Sequence, residues 1–295
     1  MTEAAAARYL ARQQAVVESA LARRFPPRRD PLRRAIRYAL LGGGKRVRPV
    51  LTLATGRLLG ARPAHTLPFA CALEMVHTYS LVHDDLPAMD DDDVRRGQPT
   101  THKAFGEGLA ILVGDALLTE AFGAMAAAGA VAADRRVAAM QEVARAAGEA
   151  GMVGGQALDL AAQGGAPTLA AVRAIHRRKT GALLRAAVRT GAIVAGAPRA
   201  VLARLTAFGE ALGLAFQITD DVLDAAEDPL TDGRTDQALE KATYPTVVGM
   251  AASCRHAERA GARALAAIAG HGEEAAPLRL LVRRVVERAG SVPAR

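Results

Sequence analysis

The sequence predicts an all-α fold. Nearly every segment reads as helix, the breaks between segments are short, and no window sustains the apolar–polar alternation of a half-buried strand. Of the 295 residues 51% are hydrophobic, yet only 3% are aromatic and Trp is absent. The core must therefore be assembled from Ala, Leu and Val, which suits close-packed helices better than sheets. A chain of this length can bury one sizeable core. We expect a single domain over residues 1–295, with ten or more helices around a central cavity.

The elements follow in order. An Ala-rich amphipathic helix starts near Thr2 and ends at Phe25-Pro26-Pro27, and a second helix ends at Leu41-Gly42-Gly43-Gly44. A third closes over Gly60 to Pro63. Thr66 or Pro68 opens a long helix that carries the motif Asp84-Asp85-Leu86-Pro87-Ala88-Met89-Asp90. Residues 163–168 form a turn in which Thr168 caps the next helix. The longest irregular stretch, Glu227 to Thr243, follows a second acidic motif, Asp220-Asp221-Val222-Leu223-Asp224. A loop of that length beside a candidate site is usually functional.

Several classes are excluded by composition. The net charge of +8 raises nucleic acid as a partner, but the arginines are scattered and not interleaved with aromatics, so none is expected. The N-terminus lacks the continuous apolar run of a secretory signal. The most apolar stretch, Gly108 to Ala133, is broken by Asp115 and Glu120 and reads as a core helix, so no stable membrane insertion is expected. Cys71 and Cys254 match no ligand spacing and read as reduced core residues of a cytoplasmic protein.

The two acidic motifs carry the chemistry. A solvated acidic turn could explain either one alone. Two of them, each in apolar helical sequence with basic residues nearby, favour carboxylates compensated by a divalent metal, and oxygen ligands suit Mg2+. Asp220 and Asp224, four apart, share a helix face with carboxylates about 6 Å apart. Asp84 and Asp90 would point roughly 120° apart on a regular helix. Pro87 removes the donor to the His83 carbonyl, and a kink or bulge there returns Asp90 to the side of Asp84. Asp91 to Asp93 read as a solvated turn.

Basic residues flank these motifs. Arg95 and Arg96 present two guanidinium forks suited to phosphate oxygens. Gly42-Gly43-Gly44-Lys45-Arg46-Val47-Arg48-Pro49 is a second basic site, weak by itself because it lacks phosphate-loop spacing and a preceding strand. His77 lies two turns before Asp84 on the same helix side. Gln217 sits one turn before Asp221, and Lys179-Thr180-Gly181 follows His176-Arg177-Arg178.

Together these pieces resemble the trans-polyprenyl diphosphate synthase family, in its bacterial farnesyl diphosphate synthase form. The resemblance rests on Leu81 to Asp90 running on to Arg95-Arg96-Gly97-Gln98-Pro99-Thr100, on Gly43 to Pro49, Gly154-Gly155-Gln156, Lys179-Thr180-Gly181, Phe216 to Asp224 and Lys241-Ala242-Thr243-Tyr244-Pro245. It implies an isoprenoid synthase fold, a homodimer, and head-to-tail prenyl transfer between an allylic diphosphate and isopentenyl diphosphate. On that likeness Asp84, Asp90 and Asp220, supported by Asp224, hold three Mg2+ ions on the allylic diphosphate, whose departure is assisted by Arg95, Lys179 and Lys241. Lys45, Arg48, His77 and Arg96 bind isopentenyl diphosphate, and Thr180 and Gln217 set oxygen dipoles against the allylic cation. On the same likeness a bulky Tyr79, combined with the two extra residues at Pro87-Ala88, implies a fifteen-carbon product, while Ser80 beside it is too small to close the tunnel. Tyr79 lies about 7.5 Å upstream of Asp84 along the helix, with its tilt towards the hydrocarbon tunnel assumed.

One departure stands out. The family pattern has a lysine in the loop after the second cluster, where this chain reads Thr231-Asp232-Gly233-Arg234-Thr235-Asp236, about two residues shorter; Arg234 keeps the charge with a different reach. Arg288 and Arg295 are further cations near the C-terminal end that could cap the site. Three alternatives remain: a geranylgeranyl diphosphate synthase, a terpene cyclase, and a catalytically silent partner subunit. A cyclase would not need a second diphosphate site and usually carries an Asn/Ser/Glu pattern in place of Asp220-Asp221-Val222-Leu223-Asp224, and silent subunits typically lose one acidic cluster.

Overall fold

The computed structural model describes residues 1–162, 164, 168–226 and 243–290. Among them it is helical almost throughout, as expected. The helices are α1 Glu3–Arg24, α2 Pro31–Leu41, α3 Val47–Leu58, α4 Pro63–Asp84, α5 Thr101–Phe105, α6 Glu107–Ala126, α7 Ala133–Ala147, α8 Met152–Ala162, α9 Leu169–His176, α10 Ala182–Ala195, α11 Arg199–Ala226, α12 Tyr244–Val248, α13 Met250–Ala267 and α14 Ala276–Gly290. A π turn, Arg177–Gly181, links α9 to α10. The described residues divide into two compact units: Met1–Ala6, Glu142–Arg189 and Ala197–Arg295 form one, Ala7–Gln141 and Thr190–Gly196 the other.

In the second unit α4 lies against α3 and α6. Leu10, Val17 and Leu21 of α1, Phe69, Leu73 and Val76 of α4, and Val113, Leu117 and Ala121 of α6 recur at helical spacing and are buried. Each of the Leu, Val and Phe side chains contributes about 1.5–3 kcal/mol on leaving water. A close approach fixes the end of α4: the His83 ring occupies the space that a side chain at Gly114 would need, its nearest atom 2.0 Å from that Cβ position. Its Nε2 lies 3.0 Å from the Ile111 carbonyl.

In the first unit α11 packs on α13 and α14. Val172, Ile218, Val222, Tyr244, Ala257 and Ala289 form one buried cluster there. Thr168 caps α9 as expected, accepting from the Ala171 N–H at 3.2 Å.

Three expectations need correction. The helix carrying the first motif starts at Pro63, not at Thr66 or Pro68: Pro63 takes the first-turn position, and Pro68 is tolerated inside α4. That helix is not bulged at Pro87 but ends at Asp84. The two-residue strands Val94–Arg95 (β1) and Gln98–Pro99 (β2) form an antiparallel ribbon. Its turn residues Arg96 and Gly97 both have positive φ, 55° and 75°, the geometry that matches the twist of a tight hairpin. So short a ribbon is below the reach of alternation patterns.

Helices α6 and α11 are long and apolar enough to cross a membrane by length and composition. Asp115 and Glu120 interrupt the first, and Glu210 and the second acidic motif interrupt the other.

Candidate active site

In the unit that holds the first motif, the chain after Asp84 turns back at once. The Leu86 N–H donates to the His83 carbonyl at 3.2 Å and the Asp90 N–H to the Asp84 carbonyl at 2.8 Å. Asp90 thus returns beside Asp84, by termination of the helix rather than by a bulge within it.

Asp84 and Asp90 are both partly exposed, whereas Asp85 is only 3% exposed. The expectation of a buried acidic wall therefore holds for one carboxylate of this motif, Asp85 at the C-terminal cap of α4, while Asp84 on the last turn and Asp90 beyond it reach solvent. Asp85 is held by Arg95, whose Nε and Nη2 both lie 2.6 Å from Oδ1; Nη2 also lies 3.2 Å from Asp92. Burial raises the Asp85 carboxyl above its usual range, and Arg95 opposes that. Asp93 pairs with Lys103 at 2.8 Å, and Asp91 and Asp93 are exposed, as a solvated turn requires. With the buried His102 they put ligand-type atoms within 4.8 Å of one another.

The glycine-rich segment divides by role. Arg96 donates to the Gly43 carbonyl, and Gly44 has a φ of +127°, a backbone conformation that favours glycine. Lys45 is exposed. Arg46 is buried and structural, bonded to Glu74 at 2.6 Å and to the Leu40 carbonyl at 2.8 Å. Arg48 is buried on α3, 9% exposed. Burial, with the charges of Arg48, Arg96, Arg95 and Arg46, holds the His77 imidazole well below its usual range, so it is neutral at neutral pH.

Tyr79 is 7% exposed, its ring edge-on to His83 with centroids 5.9 Å apart. Burial, and to a lesser degree the charge of Asp84, raise its hydroxyl above the usual tyrosine range. Ser80 donates to the His77 carbonyl at 2.9 Å.

In the other unit the π turn sets the second group of residues. A side chain at Gly155 would meet the Lys179 backbone nitrogen at 2.1 Å, and one at Gly213 would meet the Gly181 Cα at 2.9 Å. These bare contacts seat α8 and α11 directly on the turn, a kind of helix irregularity common at functional sites. Lys179 Nζ lies 2.6 Å from Asp159. Thr180 donates to Gln217 Oε1 at 2.5 Å, and Gln217 Nε2 donates to Asp221 at 3.1 Å. Asp220, on α11, lies 3.3 Å from Arg288, while Asp224 is exposed. Asp221 is 5% exposed and points inward. Gln156 is buried, and neither end of its amide has a hydrogen-bond partner among the described residues. Lys241, Arg295 and the loop around Arg234 lie outside the described residues.

Residues 29–277 match the family described as polyprenyl synthetase. The chain belongs to the polyprenyl synthetase family. It is 45% identical to the farnesyl diphosphate synthase of Geobacillus stearothermophilus over 85% of this chain and 87% of that one. It is 44% identical to the geranylgeranyl diphosphate synthase of Cyanophora paradoxa over 95% of each. A crystal structure of an FPP/GFPP synthase from Zymomonas mobilis, in its apo form, superposes with a TM-score of 0.88 at 36% identity, covering 97% of this chain and 100% of that one. The isoprenoid synthase fold and the prenyltransferase class expected from the sequence therefore stand.

The donors of each acidic motif, taken by itself, suit Mg2+. Asp84 and Asp90 in one unit, and Asp220 and Asp224 in the other, offer only oxygen and reach solvent, and no thiol or imidazole competes within either motif. Asp85 and Asp221 are the buried carboxylates, held by Arg95 in one motif and by Gln217, Tyr244 and His176 in the other. The sequence assigned no site role to these two, nor to Asp159, His176 and Gln156. The spacing Gln156 to Asp159, one turn apart on α8, was the available signal for Asp159. Nothing in the one-dimensional pattern separates Asp221 from Asp220.

Proposed function

We propose that this chain catalyses Mg2+-dependent condensation of dimethylallyl and geranyl diphosphates with isopentenyl diphosphate, giving farnesyl diphosphate. The observation that carries the reading is the same division in both acidic motifs: one aspartate bonded inward, its neighbours accessible with oxygen donors only. It is supported by the farnesyl diphosphate synthase relative over most of the chain.

Three Mg2+ ions held by Asp84, Asp90, Asp220 and Asp224 would supply charge neutralisation for the departing diphosphate. Lys179 and Arg95 add positive charge to the allylic diphosphate, with Lys241 as a third cation. Lys45, Arg48, His77 and Arg96 take the diphosphate of isopentenyl diphosphate, His77 donating as a neutral imidazole. Thr180 and Gln217 turn oxygen dipoles towards the allylic cation. The double bond of isopentenyl diphosphate attacks that cation, and the leaving diphosphate accepts the proton then lost. No side-chain nucleophile is required.

A geranylgeranyl product is the second reading, favoured by the Cyanophora relative. Buried Tyr79, upstream of Asp84 on α4, supports closure at fifteen carbons. Exposed Ile111 and Leu112, 45% and 52% accessible on α6, support a homodimer through that helix. We place the protein in the cytoplasm, with α6 and α11 as core helices.

Purified chain, Mg2+, isopentenyl diphosphate and each allylic diphosphate, with products separated by chromatography, test the reading. Farnesyl diphosphate as main product is expected. A main product of twenty carbons selects the second reading, a cyclised hydrocarbon selects a cyclase, and absence of turnover overturns the proposal in favour of a silent subunit.

A further inference from the structure

Asp221 gathers three donors from three elements. The Tyr244 backbone N–H reaches its Oδ2 at 2.9 Å, Gln217 Nε2 reaches Oδ1 at 3.1 Å, and His176 Nε2 lies 3.3 Å from Oδ2. The arrangement is closed around it. The His176 and Tyr244 rings stack with centroids 5.4 Å apart, and Arg173 donates to the Tyr244 hydroxyl at 3.0 Å.

A carboxylate has no donor to offer. Facing one, the carboxamide of Gln217 must present its NH2 group, and its oxygen is thereby turned to Thr180, which donates to it. Either end of a free carboxamide could point either way. Here the choice decides the sign of the dipole that Gln217 and Thr180 present. Hydrogen bonds running one way also polarise each other, so the charge of Asp221 is relayed outward to the Thr180 oxygen.

We propose that Asp221 is a positioning residue, not a metal ligand, that fixes the amide orientation of Gln217 and so sets the negative end of the Gln217–Thr180 pair towards the allylic cation. This rests on the prenyl-transfer reading. Failure of that reading shows as no turnover in the wild type, whereas failure of this inference leaves wild-type turnover intact and shows in the variants or in the exchange of the Gln217 amide.

Asp221→Asn keeps the shape but offers an NH2 group that allows Gln217 to flip, whereas Asp221→Glu keeps an acceptor-only group. For Asp221→Asn we expect kcat to fall about tenfold or more, with the KM of both diphosphates and the Mg2+ concentration for half activity nearly unchanged. Asp221→Glu should recover much of the loss. In a Gln217→Leu background, Asp221→Asn should add little, because both act through one amide. Normal kcat, a raised Mg2+ requirement, equal losses in the Asn and Glu variants, or losses that multiply with Gln217→Leu would each overturn the proposal. If Asp221→Asn does not fold, hydrogen exchange of the Gln217 side-chain NH2 in the wild type decides. Slow exchange supports the bond to Asp221, and exchange at the rate of an exposed glutamine removes it.

Discussion

Arg95 grips a single oxygen of Asp85 with two of its nitrogens, each at 2.6 Å. One carboxylate of the first motif is thereby spent on aiming a guanidinium, which leaves Asp84 and Asp90 as its accessible oxygens. Asp85→Asn should loosen Arg95 without unfolding the protein, since burial already disfavours the charged Asp85 carboxylate. We expect the KM for the allylic diphosphate to rise roughly tenfold, the value of one charge-assisted hydrogen bond, with little change in thermal midpoint. Steady-state kinetics and a melting curve on the same preparation check both halves.

Adjacent residues of the glycine-rich segment should behave in opposite ways. Arg46→Ala leaves Glu74, 2% exposed, without its cation, and should cost about 3–5 kcal/mol of stability. Lys45→Ala, at an exposed position, should change stability by less than about 0.5 kcal/mol and instead raise the KM for isopentenyl diphosphate. Denaturant unfolding alongside kinetics separates the two.

Tyr79→Ala should lengthen the product. Removing a buried aromatic side chain leaves a void and costs about 3–5 kcal/mol, and products of twenty carbons or more should appear from the same substrates. An unchanged product distribution in chromatography would mean that the ring does not close the hydrocarbon path.

Stability should fall on acidification below about pH 6.5, the ordinary histidine value. His77 is held neutral in the folded chain by burial and by arginine charge, so the unfolded chain takes up its proton first and gains stability as pH drops. His256 and His271 are lowered as well and act in the same direction. His77→Gln should flatten part of the decline between pH 6.5 and pH 5 in urea midpoints.

Much of this was legible in the sequence because it is local. Helix stops at Phe25 and at Gly42, the cap at Thr168 and the i,i+4 pair Asp220 and Asp224 follow from short-range rules. The return of Asp90 to Asp84 was foreseen, but its means was not, since Pro87 is compatible with a bulge or with termination. Long-range choices were hidden. That Asp221 faces Tyr244 while Asp220 does not depends on the rotation of α11 against elements distant in sequence. The division between structural Arg46 and exposed Lys45 likewise depends on Glu74, a full helix away. Gly155 became readable only when the Lys179 backbone was found against it.

The most direct measurement of the central claim is prenyl-transfer turnover with Mg2+ raised from chelated zero to excess, in the wild type, Asp84→Ala and Asp220→Ala. The account predicts no turnover in chelator, recovery on adding Mg2+, and losses on the order of a hundredfold or more in both variants. Turnover that survives chelation, or an Asp220→Ala variant close to wild type, would contradict it.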